Sequence, residues 1–284
     1  MKRRINRIIA LVGLLALVTG VALQAQNKKF EVRKVDFDKV KEITLNPKAD
    51  FYYSKLLKSF SGTDTTMSLE VFRDLYYGYV FQEDYNPFRQ SQYGTVVEQL
   101  YYKQPHSRQE CDSIEKYANL SLADNMFDLD QMQYYIYVLK EKKKYARAAV
   151  EQFKLDNIIA AIMSSGKGTK DEPWVVISPL HEYNIVNFLG YIAVNHTEMG
   201  KGIDYIAVKK RGRSKTEGFY FDVSRMWQEA QRKFPDEITS IPGEEITEVI
   251  GDTTLDGDTL GDANDDDPDG DDEEDDEEGE EDDE

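Results

Sequence analysis

The chain of 284 residues has one cysteine and three histidines. A lone thiol excludes an intrachain disulfide, so an exported body must be held together by packing, and Cys111 reads as a small core residue. The histidines do not complete a motif. His181-Glu182 has the order that opens a zinc-hydrolase helix, but Ile185 stands where the second histidine would lie one turn later. Basic excess is also missing. The net charge is -19, and residues 251–284 hold 21 of the 54 acidic residues with no Lys or Arg. Without that tail and the four basic residues of the N-terminus, residues 26–250 carry 33 acidic against 31 basic side chains and are nearly neutral. Such a body argues against a nucleic-acid partner. Lys209, Lys210, Arg211, Arg213 and Lys215 crowd one loop, and they read as a solvated loop tip.

What is present begins with a leader. Lys2, Arg3, Arg4 and Arg7 precede an apolar run from Ile8 to Val18, the order of a cleavable signal peptide. Thr19, Gly20 and Gln24 interrupt the run before the ~20 apolar residues of a spanning helix are reached. Ala25 offers a small residue for cleavage, so the mature chain is expected to begin at Gln26 and to reside in the periplasm or outer envelope. The organisation expected is a signal peptide over 1–25, a folded body over 26–235, and a linker with a disordered acidic tail over 236–284. Asp262, Asn264, Asp266 and Asp269 alternate loosely like calcium ligands, but no closing glutamate follows, which leaves weak cation binding by the tail.

The body reads as α+β: a mainly helical, tetratricopeptide-like part over 37–165, then a small antiparallel sheet with two helices over 166–235. Ser68 caps a helix striped with Leu69, Phe72, Tyr76 and Tyr79 that must end before Pro87. Ser107 and Glu110 form a capping box ahead of Cys111, Ile114, Tyr117 and Ala118, and Asp128 opens a helix striped with Met132, Tyr135, Ile136 and Leu139. The Lys140–Lys144 turn leads into a partner helix, where Ala146 and Ala149 are expected to permit close approach. Beyond Gly166, strands are expected at Trp174–Ile177, Ile203–Lys209 and Gly218–Val223. Ser178 and Pro179 should open one helix, with Tyr183, Ile185, Phe188 and Leu189 on its apolar face, and Ser224–Phe234 should form another with Met226 and Trp227 inward.

No catalytic, cofactor-binding or metal-ligating residue can be named from these patterns. Gly166-Lys167-Gly168-Thr169 lacks the earlier glycine and the hydroxyl after lysine of a phosphate loop, so it reads as a helix-to-strand turn. Tyr76, Tyr77, Tyr79, Phe81, Tyr85, Phe88 and Tyr93 could stack on sugars, but their helical spacing favours core packing.

Several stretches together resemble a known family. They are Phe51-Tyr52-Tyr53-Ser54-Lys55-Leu56-Leu57, Leu75-Tyr76-Tyr77-Gly78-Tyr79-Val80-Phe81-Gln82, Asp84-Tyr85-Asn86-Pro87, Val176-Ile177-Ser178 with His181-Glu182-Tyr183, Asn187-Phe188-Leu189-Gly190, and Tyr220-Phe221-Asp222-Val223-Ser224. In order and type they are similar to domain-of-unknown-function family 4919, which implies a secreted protein of Bacteroides-like bacteria and supplies no catalytic residue. The expectation is a non-enzymatic binding or scaffold module of the envelope with a protein or glycan partner. The alternative is a hydrolase with a cleft near Ser178, His181, Glu182 and Tyr183, where a helix N-terminus would steady an anion.

The leader generates the first prediction. Protein purified from the envelope fraction of the producing cell should give an intact mass that starts at or near Gln26, and a mass retaining Met1 would refute cleavage.

Overall fold

The computed structural model describes residues 31–103, 105–209, 212 and 214–238. The leader with its cleavage point and the acidic tail with its cation-binding spacing lie outside the described residues.

Caps and stripes place the helices. Helix α1 (Phe37–Leu45) opens with the Asp36 carboxylate accepting from the Lys39 amide. Helix α2 spans Tyr53–Ser61, and α3 (Leu69–Gly78) opens with Ser68 accepting from the Val71 amide. A 3-10 turn over Tyr79–Phe81 then ends the run well before Pro87. Helix α4 (Gly94–Tyr102) precedes α5 (Arg108–Asp124), whose N-terminus is held by the reciprocal Ser107–Glu110 capping box. Asp128 caps α6 (Leu129–Glu141), and α7 (Tyr145–Met163) follows a turn in which Lys143 takes a positive φ of 58°. Helix α6 packs between α5 and α7, so the expected helical hairpin is present. The alanine at the contact is not one of those expected: Ala148 is buried in the core that α6 and α7 share, whereas Ala146 and Ala149 face solvent.

The C-terminal part comprises β1 (Trp174–Val175), α8 (Pro179–Phe188), β2 (Ala193–Glu198), β3 (Ile203–Val208), β4 (Gly218–Asp222) and α9 (Ser224–Lys233). The strand order is β1-β4-β3-β2, with β1 parallel to β4 and the other pairs antiparallel. The sheet is therefore mixed, not purely antiparallel as the sequence suggests. The chain reaches β4 only after α8 and the β2–β3 hairpin have been traversed, and it returns along the direction of β1. Strand β2 is invisible to a search for apolar alternation because its last four residues are Asn-His-Thr-Glu. The hairpin turn uses positive φ at Gly200, Lys201 and Gly202, of 81°, 55° and 69°. At Gly202 a Cβ would lie 2.5 Å from the Cα of Ser224, so only glycine allows the turn to sit against the start of α9.

One core runs from α1–α3 through α6 and α7 to the sheet, and a second joins α4–α7 around Val97, Cys111, Ile114 and Val138. In the first core, the tyrosines of α3 and the segment after it satisfy the backbone of the β1 region. Tyr77 Oη donates to the Val175 carbonyl at 3.2 Å and Tyr85 Oη donates to the Ile177 carbonyl at 2.8 Å. The Ile177 amide donates to Tyr76 Oη at 3.3 Å, and the Val175 amide donates to Ser165 Oγ at 2.8 Å. Strand β1 lies at the end of the sheet, yet its outer edge is sealed by side chains of the helical part. No helix among the described residues is long and apolar enough to cross a membrane.

Tyr76 is fully buried. Replacing it with alanine should lower the unfolding free energy by about 3 kcal/mol, in the range of large core truncations. A urea titration with an unchanged midpoint would show that the ring is not part of the core.

Candidate functional site

The four residues of the hydrolase reading do not converge. Ser178 precedes α8, but its hydroxyl makes no capping bond and donates instead to the Pro87 carbonyl at 3.0 Å. His181 is locked in the core. Its Nε2 donates to the Phe127 carbonyl at 2.8 Å, which leaves Nδ1 to accept from Tyr76 Oη at 2.6 Å. Burial pushes its pKa down to about 4, so it stays neutral and has no free nitrogen for proton transfer. Glu182 points elsewhere, into the layer between α8 and the sheet, and Tyr183 is partly exposed. Helix α8 is thus turned relative to the expected face: Ile185 and Val186 are buried beside His181 and Glu182, whereas Tyr183 and Phe188 look outward. The polar pair can occupy the buried face because its members meet specific groups there.

Glu182 meets two residues of the hairpin. His196 Nε2 lies 3.1 Å from Asp204 Oδ2 and 3.9 Å from Glu182 Oε2. One ligand-type atom from each of the three residues falls within 4.8 Å of the others. Glu182 has no exposed surface, neither of its carboxylate oxygens meets a hydrogen-bond donor among the described residues, and Asp204 is 7 % exposed. Desolvation, followed by the Asp204 charge, holds the Glu182 carboxyl well above the usual carboxylate range. Asp204 is raised as well, by burial first and against the pull of His196. A proton on Glu182, donated to Asp204, is one way of relieving the pair.

The register explains how His196 arrives. Asp204, Ile206 and Val208 alternate on the buried face of β3. Ala193 pairs with Val208, but the ladder then shifts so that Asn195 pairs with Ala207 and His196 with Ile206. Val194 is the extra residue of a β-bulge. The hairpin turn sets the register from Glu198–Asp204 up to His196–Ile206, and directly opposed residues of an antiparallel pair share a face, so His196 lies on the side of Asp204 and Glu182. The bulge absorbs one residue beyond that point and lets Ala193 stay on the same face, opposite Val208.

A second feature lies on the other side of α8. A groove of about 350 Å³ runs between α6, α7 and the end of α8, lined by Tyr101, Tyr137 and Phe188 with the side chains of Lys140, Gln152 and Asp156. Lys140 Nζ donates to Gln152 Oε1 at 3.1 Å, and Gln152 Nε2 donates to Asp156 Oδ1 at 2.9 Å. The aromatic series singled out in the sequence lies elsewhere: Tyr76, Tyr77, Tyr79, Phe81 and Tyr85 are buried, and Phe88 is exposed beside Trp227. Of the basic loop, Lys209 and Lys215 are exposed, whereas Lys210, Arg211 and Arg213 lie outside the described residues. Sequence reasoning missed Asp204 and His196. Asp204 was detectable as the one charged residue in the alternating set of Ile206 and Val208, but His196 sits on a strand without apolar alternation.

The family model described as "Domain of unknown function (DUF4919)" matches residues 38–232, which covers both cores and the sheet. No curated protein and no solved structure matches the chain, so the tetratricopeptide-like character expected of the helical part gains no support from a known fold.

If His181 is a core residue bonded to Tyr76, the two should be energetically coupled. A double-mutant cycle of Tyr76→Phe and His181→Leu should give a coupling of about 0.5–3 kcal/mol by chemical denaturation. A coupling of zero would free His181 from this bond and revive it as a candidate base.

Proposed function

The chain belongs to the DUF4919 family, a domain of unknown function, and from that premise we propose that it is an exported, non-enzymatic binding module whose ligand is a glycan of the bacterial envelope, taken into the groove between α6, α7 and the end of α8. The observation that carries this reading is the lining. The rings of Tyr101, Tyr137 and Phe188 offer flat apolar surface for the C–H faces of a sugar. Lys140, Gln152 and Asp156 form a row of donors and acceptors for its hydroxyls. That row is already hydrogen-bonded from Lys140 to Gln152 to Asp156, which reduces the ordering cost on binding.

The same lining supports binding over catalysis. Among the described residues, Asp156 is the one carboxylate that borders the groove, and the groove is bordered by no serine, cysteine or histidine. Glycoside hydrolysis generally requires two carboxyl groups across the scissile bond. Nucleophilic hydrolysis requires a hydroxyl or thiol beside a base, and Ser178 and His181 are bonded separately elsewhere. Export rests on the leader read in residues 1–25.

Titration with chitohexaose, which carries acetamido groups, and maltohexaose, which carries hydroxyls alone, tests the reading through amide NMR shifts. Saturable shifts along α6 and α7 are expected with at least one of them. Phe188→Ala and Gln152→Ala should each weaken binding about tenfold, equivalent to 1.4 kcal/mol, with the melting temperature unchanged. Absence of a saturable shift with both sugars, or shifts that survive both substitutions, would overturn the glycan assignment.

A further inference from the structure

We propose that Glu182, His196 and Asp204 form a site for a divalent transition-metal ion of the zinc class, which ties the edge strand β2 and its neighbour β3 to helix α8. The inference starts from Glu182. Its carboxylate is fully buried, is aimed at His196 and Asp204, and has no donor for either oxygen among the described residues. A buried carboxylate without a partner costs several kcal/mol unless a proton or a cation neutralises it. The geometry points to a cation. Bonds of ~2.1 Å around one ion leave neighbouring ligand atoms ~3.0–3.5 Å apart. The His196–Asp204 distance of 3.1 Å, also that of an ion pair, falls in that interval, and the His196–Glu182 distance of 3.9 Å and the spread of up to 4.8 Å among the three ligand atoms would have to close to it on binding.

The donor set selects the ion. One imidazole and two carboxylates suit Zn2+ and its first-row neighbours, whereas Mg2+ and Ca2+ prefer oxygen alone. His196 retains 32 % of its side-chain exposure, which provides an entry path and room for water at the remaining coordination positions. The hairpin register supplies a further element, because it pairs His196 with Ile206 and so holds the imidazole on the face of Asp204. Tyr183 packs edge-on against the His196 ring, with centroids 6.2 Å apart, and limits its rotation. The site is distinct from the glycan groove, which lies across α8.

The test uses the purified chain, acidic tail included, stripped with chelator and held in excess Mg2+ so that non-specific sites on the tail are occupied. Zinc chloride is then added, and binding is followed by calorimetry and by the ring-nitrogen NMR signals of the three histidines. The expected result is one equivalent of Zn2+ with a selective shift of the His196 Nε2 signal and a rise in melting temperature. His196→Ala, at a partly exposed position, and Glu182→Gln, which removes the charge and keeps the shape, should each weaken this binding by about 100-fold or more. Wild-type protein that takes up no stoichiometric Zn2+, or variants that bind as tightly as wild type, would overturn the proposal and leave a proton shared by Glu182 and Asp204 as the relief of the buried charge.

Discussion

The fold depends on how the segment Trp174–Ile177 is satisfied. All four residues are buried, and only two of them form ladder pairs with β4. A buried strand edge with open amides and carbonyls would cost about 1–3 kcal/mol per unmet group. Here the missing partners are hydroxyls: Tyr76, Tyr77 and Tyr85 from the helical part, and Ser165 from the end of the α7 region. These bonds link the two halves that the sequence suggests as separate regions, because the sheet is completed on one side by aromatic residues that lie about a hundred positions earlier. The hydrophobic core then packs around a polar seam, and the position of α8 follows from it. Pro179 begins that helix immediately after the sealed segment, and His181 locks its first turn to Tyr76.

Helix α8 consequently separates two environments. Its buried side presents His181 and Glu182, and its exposed side presents Tyr183 and Phe188. Hydrophobic periodicity predicts the reverse, since it assigns aromatic residues to the core and charged ones to solvent. The inversion has a local cause at each position. His181 has two hydrogen-bond partners that an apolar residue could not use, Glu182 faces His196 and Asp204, and Phe188 borders a groove.

Much of the helical part was legible because its signals are local. Ser68, the Ser107–Glu110 box and Asp128 announce helix starts within four residues, and the stripes after them are buried as the spacing requires. The resemblance to the family was equally readable, through motifs spread over the body. What escaped depends on long-range pairing. The parallel β1–β4 contact joins residues far apart in the chain, strand β2 lacks apolar alternation, and its bulge appears only when the ladder is formed. Glu182, His196 and Asp204 come from a helix and two strands, so no fixed spacing could have grouped them.

The hairpin register also has a genetic consequence. The arrangement around Asp204 is specified by the number of residues between His196 and Asp204 as much as by their identity. Loss of the single codon for Val194 would remove the bulge and leave His196 opposite Ile206, whereas loss of the codon for Thr197 would keep all three polar side chains in the gene and slide His196 opposite Tyr205, on the far side of the sheet. Within this family, then, insertions and deletions between the histidine and the turn are the changes to inspect first: a homologue can retain Glu, His and Asp and still lack the site, or recover it by shifting the histidine by one position.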